Sequence, residues 1–354
     1  MSEQQTPRPR SHAQPPAGLL DLSGLAPSLA PPAWLLGRLE RSLHQLGAAP
    51  DPHAAVRAVG RRHDRDEAEV LLTAGASDAL LLLARVLRPQ HAVLVHPWLS
   101  SAEAALRAAG SAGEQLVLDP PYSLDPEQVP ADADLVVLAN PGDPTGVVQQ
   151  GLDRLCRPGR VVVVDESLAD AVPGEPGSLA GRGDLPGLVV VRSLSRTWSL
   201  TGLRVGYLLA APELAEALRE AQAPHPVSTI GLTALETCLA RGPVAMAAKD
   251  AAALSPERER LAESLRELGV EVAPGSQAPF LLCRVPGRPD LPDVLQDRHI
   301  RVRWLDEVPG LGPEFWRVAV RGGQESAQLL SALRGALPPS SAGTAAVRRR
   351  TGRH

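Results

Sequence analysis

An α/β fold, a mostly parallel sheet between layers of helices followed by a smaller α+β unit, is what this sequence of 354 residues predicts. Three observations predict it. Short Val- and Leu-rich runs alternate with stretches of helical period from about residue 50 to 235. Those runs are apolar at every position, as strands are when helices cover both faces of a sheet. Beyond them the order changes to one long helical stretch, several short strands and a closing helix.

In chain order, strands are expected at 69–72, 92–95, 116–118, 135–139, 161–164, 188–191 and 205–210, each a compact apolar run. Helices between them are expected at 77–87, 101–109 and 213–221, where apolar residues recur every three to four positions. The smaller unit follows with a helical stretch over 227–268, strands at 270–272, 280–283, 301–304 and 316–320, and a helix over 325–337. Residues 1–18 are Pro- and Gln-rich and are expected to be a disordered tail. Residues 19–48, with a helix over 34–46, are expected to join the smaller unit. The larger unit then covers 49–235 and the smaller one 236–337. Residues 338–354 read as a polar tail carrying Arg348, Arg349, Arg350 and Arg353.

Composition narrows the function classes. Hydrophobic residues at 44% and charged ones at 21% make an ordinary globular balance, and a net charge of −4 lacks the basic excess that nucleic-acid binding requires. No apolar run reaches the roughly 20 residues of a membrane helix, and no apolar signal core opens the chain, so a cytoplasmic protein without membrane contact is expected. Cys156, Cys238 and Cys283 are too scattered for a disulfide framework or a zinc site, so no metal is expected. Lys249 is the only lysine among 36 basic side chains. Arginine replaces a surface lysine at little cost but cannot act as an amine nucleophile.

Ligands of such sheets bind beyond the C-terminal strand ends, near helix N-termini. After 69–72 comes Thr73-Ala74-Gly75-Ala76-Ser77-Asp78, where small residues opening a helix can bring amides to an anion. A plain turn with Ser77 or Asp78 as helix cap is the competing reading. Asn140-Pro141-Gly142-Asp143-Pro144-Thr145-Gly146 is a rigid loop after 135–139 that can aim a side chain or merely lie on the surface. Asp165-Glu166 closes the 161–164 run, and a buried carboxylate there needs a partner. Ser193 and Arg204, within 193–207, can hold a phosphate or belong to a solvated loop. Arg317, on the 316–320 strand, can face a carboxylate or solvent.

Taken together and in this order, EVLLTAGASDAL, PGDPTG, VVVVDES, SLSRTWSLTGLRVGY and WRVAVR resemble the class I/II aminotransferases, the fold-type-I pyridoxal-phosphate (PLP) enzymes. The resemblance spans about residues 20 to 337 and looks closest to the histidinol-phosphate aminotransferase and threonine-phosphate decarboxylase branch, the latter from cobalamin biosynthesis. It implies the fold-type-I PLP-transferase architecture, PLP or pyridoxamine phosphate as cofactor, an amino acid or phospho-amino acid as substrate, and a homodimer. It also implies that Ala76 and Ser77 offer amides to the cofactor phosphate, that Ser193 and Arg204 complete that site, that Asp165 pairs with the pyridinium nitrogen, and that Arg317 holds the substrate carboxylate.

Several positions depart from the family pattern. The Schiff-base lysine, eight residues before Arg204, is Arg196 here. Guanidinium stays protonated, so any PLP bound would be held non-covalently. Asp143 stands where the family has an asparagine facing the ring hydroxyl. Leu99, with Trp98 beside it, stands at the ring-stacking position. Ala49 replaces a tyrosine that a neighbouring subunit often lends, and Ser23-Gly24-Leu25-Ala26 replaces an asparagine-bearing tract. Two functions follow. One is an aminotransferase or decarboxylase using another base, such as His96 or a water. The other is a catalytically inactive pseudoenzyme that binds a phosphorylated ligand or a protein partner.

Overall fold

The computed structural model describes residues 18–27, 30–98 and 101–337. In chain order the elements are β1 (Leu20–Asp21), α1 (Ala33–Ser42), α2 (His53–His63), β2 (Val70–Thr73), α3 (Ala76–Leu87), β3 (Ala92–His96), α4 (Ala102–Ala108) and β4 (Gly113–Val117). They continue with β5 (Leu135–Ala139), β6 (Val161–Asp165), β7 (Leu188–Ser193), β8 (Gly206–Leu209), α5 (Pro212–Ala221), α6 (Thr229–Cys238) and α7 (Arg241–Glu267). The last are β9 (Glu271–Val272), β10 (Phe280–Arg284), α8 (Leu291–Asp297), β11 (Ile300–Arg301), β12 (Arg303–Trp304), β13 (Phe315–Ala319) and α9 (Gly323–Ala336).

Seven strands form the main sheet in the order β2-β8-β7-β6-β5-β3-β4. All neighbours run parallel except β8, which is antiparallel to both β2 and β7. The Val-rich runs bury both faces, as period 2 dictates. Val136, Leu138, Val162, Val164 and Val190 enter one core with Leu35, Leu39, Ala55, Val59 and Leu235 from α1, α2 and α6. Val137, Val163, Val189 and Val191 point the other way, against Leu80, Leu83, Leu106 and Leu218 from α3, α4 and α5. A separate four-stranded sheet, β12-β13-β10-β9, shares a third core with Leu261 and Leu265 of α7, Leu295 of α8 and Leu329 and Leu333 of α9.

Three expectations are corrected. The segment 19–48 divides between the two sheets' cores. Strand β1 pairs in parallel with β11, and Leu22 enters the small core. Helix α1, expected with the smaller unit, instead packs against α6 on the large sheet. Trp34 drives this, meeting Trp198 edge-on with ring centroids 5.4 Å apart. The stretch 227–268 breaks at Ala240, whose extended backbone (φ −68, ψ 152) separates α6 from α7. Strand β4 starts at Gly113, earlier than its apolar residues, because an edge strand need not be apolar. Of the expected tails, 1–18 and 338–354, all but Gly18 lies outside the described residues.

Helix α7 is 27 residues long and carries Pro256 in its interior, which removes one N–H from the helical ladder. Ala247 near its start belongs to the large core, and Leu261, Ala262 and Leu265 near its end belong to the small one.

Candidate active site

The C-terminal ends of β2 and β7 and the start of β8 converge, because Gly206 is the register partner of both Thr73 and Ser193. Gly75 turns the chain from β2 into α3 at φ +88, a conformation that suits glycine. No side chain caps the first turn of α3, and the first amide bonded within the helix is that of Ala79, to Gly75 O at 3.3 Å. The N–H groups of Ala76 and Ser77 are thus left without intrahelical acceptors at the positive end of the helix dipole. Arg204 lies against this end. A Cβ built on Gly75 would fall 2.8 Å from Arg204 Nη2. Arg204 itself is exposed, at φ +55, and makes no hydrogen bond or ion pair among the described residues. Ser193 is nearly buried, its Oγ 3.0 Å from Ser195 Oγ. Two free amides and one free guanidinium so lie at the start of α3, with the Ser193 hydroxyl at the end of β7, across Gly206 from Thr73.

Asp165 ends β6, the strand next to β7. Its Oδ1 accepts from Ser167 N at 3.0 Å and from Ser167 Oγ, while Oδ2 takes no hydrogen bond from the described residues. Burial raises its pKa above the ordinary carboxylate range, against the Ser167 hydrogen bonds and the charge of Arg196.

The loop 194–205 carries Arg196. Leu194, Trp198 and Leu200 are buried in the large core and pin the loop from below. Arg196 is half-buried and makes no hydrogen bond or ion pair among the described residues. Burial lowers its pKa, and the charges acting on it are Asp143 and Asp165 in its favour and Arg317 and Arg204 against. Arg317 is not free. Its Nη1 donates to Asp143 Oδ1, its Nη2 to Ser23 O at 2.6 Å, and its guanidinium lies 5.3 Å from the Phe280 ring centroid. Both members of the Asp143–Arg317 pair are almost fully buried, with side-chain exposures of 8% and 3%.

The other sequence candidates are placed as follows. Trp98 is 5% exposed and packs in the core with Ala102 and Leu106. With His96, Ala139, Gly142 and Thr145 it lines a narrow cavity of about 20 Å³. Burial lowers the pKa of His96, and Glu103 Oε1 stands 3.2 Å from its Nε2. Leu99 lies outside the described residues, and Lys249 is exposed on α7. Sequence reasoning missed the buried network behind β7. Arg192 Nη2 reaches Glu166 Oε2 at 2.8 Å and Glu175 Oε2 at 2.7 Å, and Arg62 Nη2 reaches Glu175 Oε1 at 2.5 Å. The available signal was the alternation of β7, which sends Arg192 to the face opposite Ser193.

The uncapped start of α3 with the free Arg204 beside it can take an anionic group, and comparison with known proteins identifies the family. Residues 44–334 match the family described as aminotransferase class I and II. A histidinol-phosphate aminotransferase of Mycobacterium tuberculosis is 43% identical over 309 residues, covering 86% of this chain and 84% of its own length. A threonine-phosphate decarboxylase of Salmonella typhimurium is 28% identical over 342 residues, covering 91% and 92%. In three dimensions, the histidinol-phosphate aminotransferase of Clostridium acetobutylicum superposes with a TM-score of 0.81 at 22% identity, over 90% of this chain and 99% of that one. On sequence and on fold, this chain belongs to the class I and II aminotransferases, enzymes of PLP fold type I.

Proposed function

We propose that this chain binds PLP or pyridoxamine phosphate non-covalently, together with an amino acid or phospho-amino acid, and does not use lysine-dependent turnover. The observation that carries the reading is the free Arg204 guanidinium against the uncapped N-terminus of α3.

Tested against PLP, the residues fit two parts of the molecule and not the third. Ala76 N–H, Ser77 N–H and Arg204, with Ser193 beside them, suit the phosphate. Asp165 Oδ2, without a hydrogen bond from the chain, suits a protonated ring nitrogen. When bound, PLP supplies an electron-withdrawing ring that weakens bonds at the amino-acid carbon. Ala76, Ser77, Ser193 and Arg204 would hold the phosphate, and Asp165 the ring nitrogen. Arg196, however, neither attacks a carbonyl nor gives up a proton readily. Loss of a general base typically costs about 10²–10⁴ in rate.

The names of the relatives, a histidinol-phosphate aminotransferase and a threonine-phosphate decarboxylase, support a phosphorylated amino compound as the second ligand. Transamination and decarboxylation are both compatible with the site. The second reading, a catalytically inactive binder, is favoured by the Asp143–Arg317 pair, since the arginine expected to hold a substrate carboxylate already holds one. A homodimer is proposed from family membership and is checked by light scattering.

Calorimetric titration with PLP and pyridoxamine phosphate tests the reading. Dissociation constants in the micromolar range or below support it, and absence of binding at millimolar ligand removes it. In an Arg196→Lys variant, PLP should leave a borohydride-reducible adduct on the introduced side chain, read by mass spectrometry. The wild type should show none.

A further inference from the structure

Behind β7 lies a cavity of about 490 Å³, bounded by the end of α2, the loop after β6, strands β7 and β8, and the start of α7. Its core residues, among them Leu194, Trp198, Tyr207 and Ala247, belong to the face of the large sheet that α2 and α6 cover. Helix α3 packs on the opposite face, and of the phosphate-site residues only Ser193 borders the cavity. A space of this size suits a small organic molecule. One wall is apolar, built from Leu194, Trp198, Leu239, Val244 and Ala247. The other carries charge. Arg192 Nη2 is held there by Glu166 and Glu175, and Arg62 Nη2 by Glu175. His63, 2.8 Å from the Tyr207 hydroxyl, adds no charge, because burial and the nearby arginines push its pKa down to about 2. Arg61 and Asp64 are exposed, where water and salt screen them. Asp170 differs from all of these. Its Oδ1 is buried without a hydrogen bond, and no arginine, lysine or histidine among the described residues comes within 4.0 Å of its carboxylate.

We propose that this cavity binds a small organic monocation, an ammonium group on an apolar body, with Asp170 as its counter-ion and the Leu194–Trp198 wall as the seat of the body. Three features combine in it. A carboxylate set back from water is costly until a cation joins it, and Asp170 is the lining carboxylate that lacks one. A carboxylate head on the ligand would add a fourth acid to Glu166, Glu175 and Asp170, while Arg192 and Arg62 are already paired. A neutral head would leave Asp170 as it was. The proposal is independent of the PLP reading, since it uses another cavity on the other face of the sheet.

The test uses three compounds that share a benzyl body and differ in the charge of the head: 2-phenylethylamine (an ammonium), 2-phenylethanol (a hydroxyl) and phenylacetate (a carboxylate). Burial raises the pKa of Asp170 to about 6, so calorimetry on the full-length protein is run at about pH 8, where the carboxylate is ionised. The three should rank ammonium, hydroxyl, carboxylate. The first should bind at least about tenfold more tightly than the second, as expected for a charged hydrogen bond inside the protein. In Asp170→Asn, which keeps the shape of the side chain, amine and alcohol should come within about threefold of each other. Ala248→Trp, on the exposed side of α7 at the cavity, should weaken both by at least about tenfold. Equal or reversed ranking in the wild type, or no binding of the amine at millimolar concentration, overturns the proposal. Retention of the ranking in Asp170→Asn overturns it too, because another carboxylate, such as Asp165, would then be the anchor. If Asp170→Asn does not fold, Ala248→Trp decides, since an unchanged affinity for the amine would place it elsewhere.

Discussion

Deleting the Arg317 guanidinium should unmask how much of the site is held together before any ligand arrives. Arg317→Met keeps most of the stem volume and removes the charge. Asp143, whose side chain is 8% exposed, then loses the one partner its carboxylate has among the described residues. The Ser23 carbonyl loses a donor at 2.6 Å, and the Phe280 ring loses its cation. Stranding one member of a buried pair costs about 3–5 kcal/mol. An unfolding entropy of about 2.1 cal/mol/K per residue gives roughly 0.7 kcal/mol/K for a chain of this length. The expected fall in Tm is therefore about 4–7 °C, read by differential scanning calorimetry. The double variant Asp143→Asn/Arg317→Met, which buries no lone charge, should recover at least about half of that loss. A fall of less than about 1 °C in the single variant, or no recovery in the double, would refute the account of this pair.

Gly75→Ala should lower affinity for PLP by at least about tenfold and cost about 1 kcal/mol or more in stability, since the new methyl meets Arg204 Nη2 at 2.8 Å on a backbone at φ +88. Calorimetry with PLP and a thermal melt check both. Two buried groups behind β7 should give opposite pH slopes. Burial pushes the carboxyl of Asp170 up to about 6, so the native state binds the extra proton and stability falls as pH rises from about 4 to 6. Burial pushes the imidazole of His63 down to about 2, helped by Arg192, Arg62 and Arg65, so the unfolded state binds the extra proton and stability falls as pH drops below about 6.5. Urea unfolding from pH 4 to 7 should therefore steepen upward in Asp170→Asn and tilt downward in His63→Phe relative to the parent.

Much of the fold was legible because the central strands are apolar on both faces. The bounds of β5 were read correctly from Leu135 to Ala139, for no polar residue interrupts that run. Polar β4 was read short, since nothing in Gly113-Glu114-Gln115 announces an edge strand. Helix α2 went unassigned, its period masked by Arg57, Arg61 and Arg62 among the alanines. In the site, Gly75-Ala76-Ser77 and Arg204 were legible because local turn chemistry and one motif contain them. The engagement of Arg317 by Asp143 was not legible, because 174 residues separate two side chains that each, taken alone, point to a ligand. The same holds for Glu166, whose partner Arg192 sits on the hidden face of a neighbouring strand.

The proline in α7 gives the molecule a mechanical dimension. Ala247 in the first half of this helix is bound into the large core, while Leu254, just before Pro256, and Leu261, Ala262 and Leu265 beyond it are bound into the small one. The segment beyond the proline, at 1.5 Å per residue, is a lever of about 16 Å, so a bend of about 10° at its base swings its tip by about 3 Å. A displacement of that size exceeds the reach of any hydrogen bond. The Arg317–Asp143 contact joins a strand of the small sheet to a loop of the large one, the same two units that this helix spans. It is one of several joins, since Gln277 N–H donates to Gly146 O at 2.8 Å, Val147 bridges Ser276, and Phe280 and Ala319 of the small sheet pack with Val148, Leu168 and Val172. Losing this pair alone would loosen the two sheets at one point and leave the others holding.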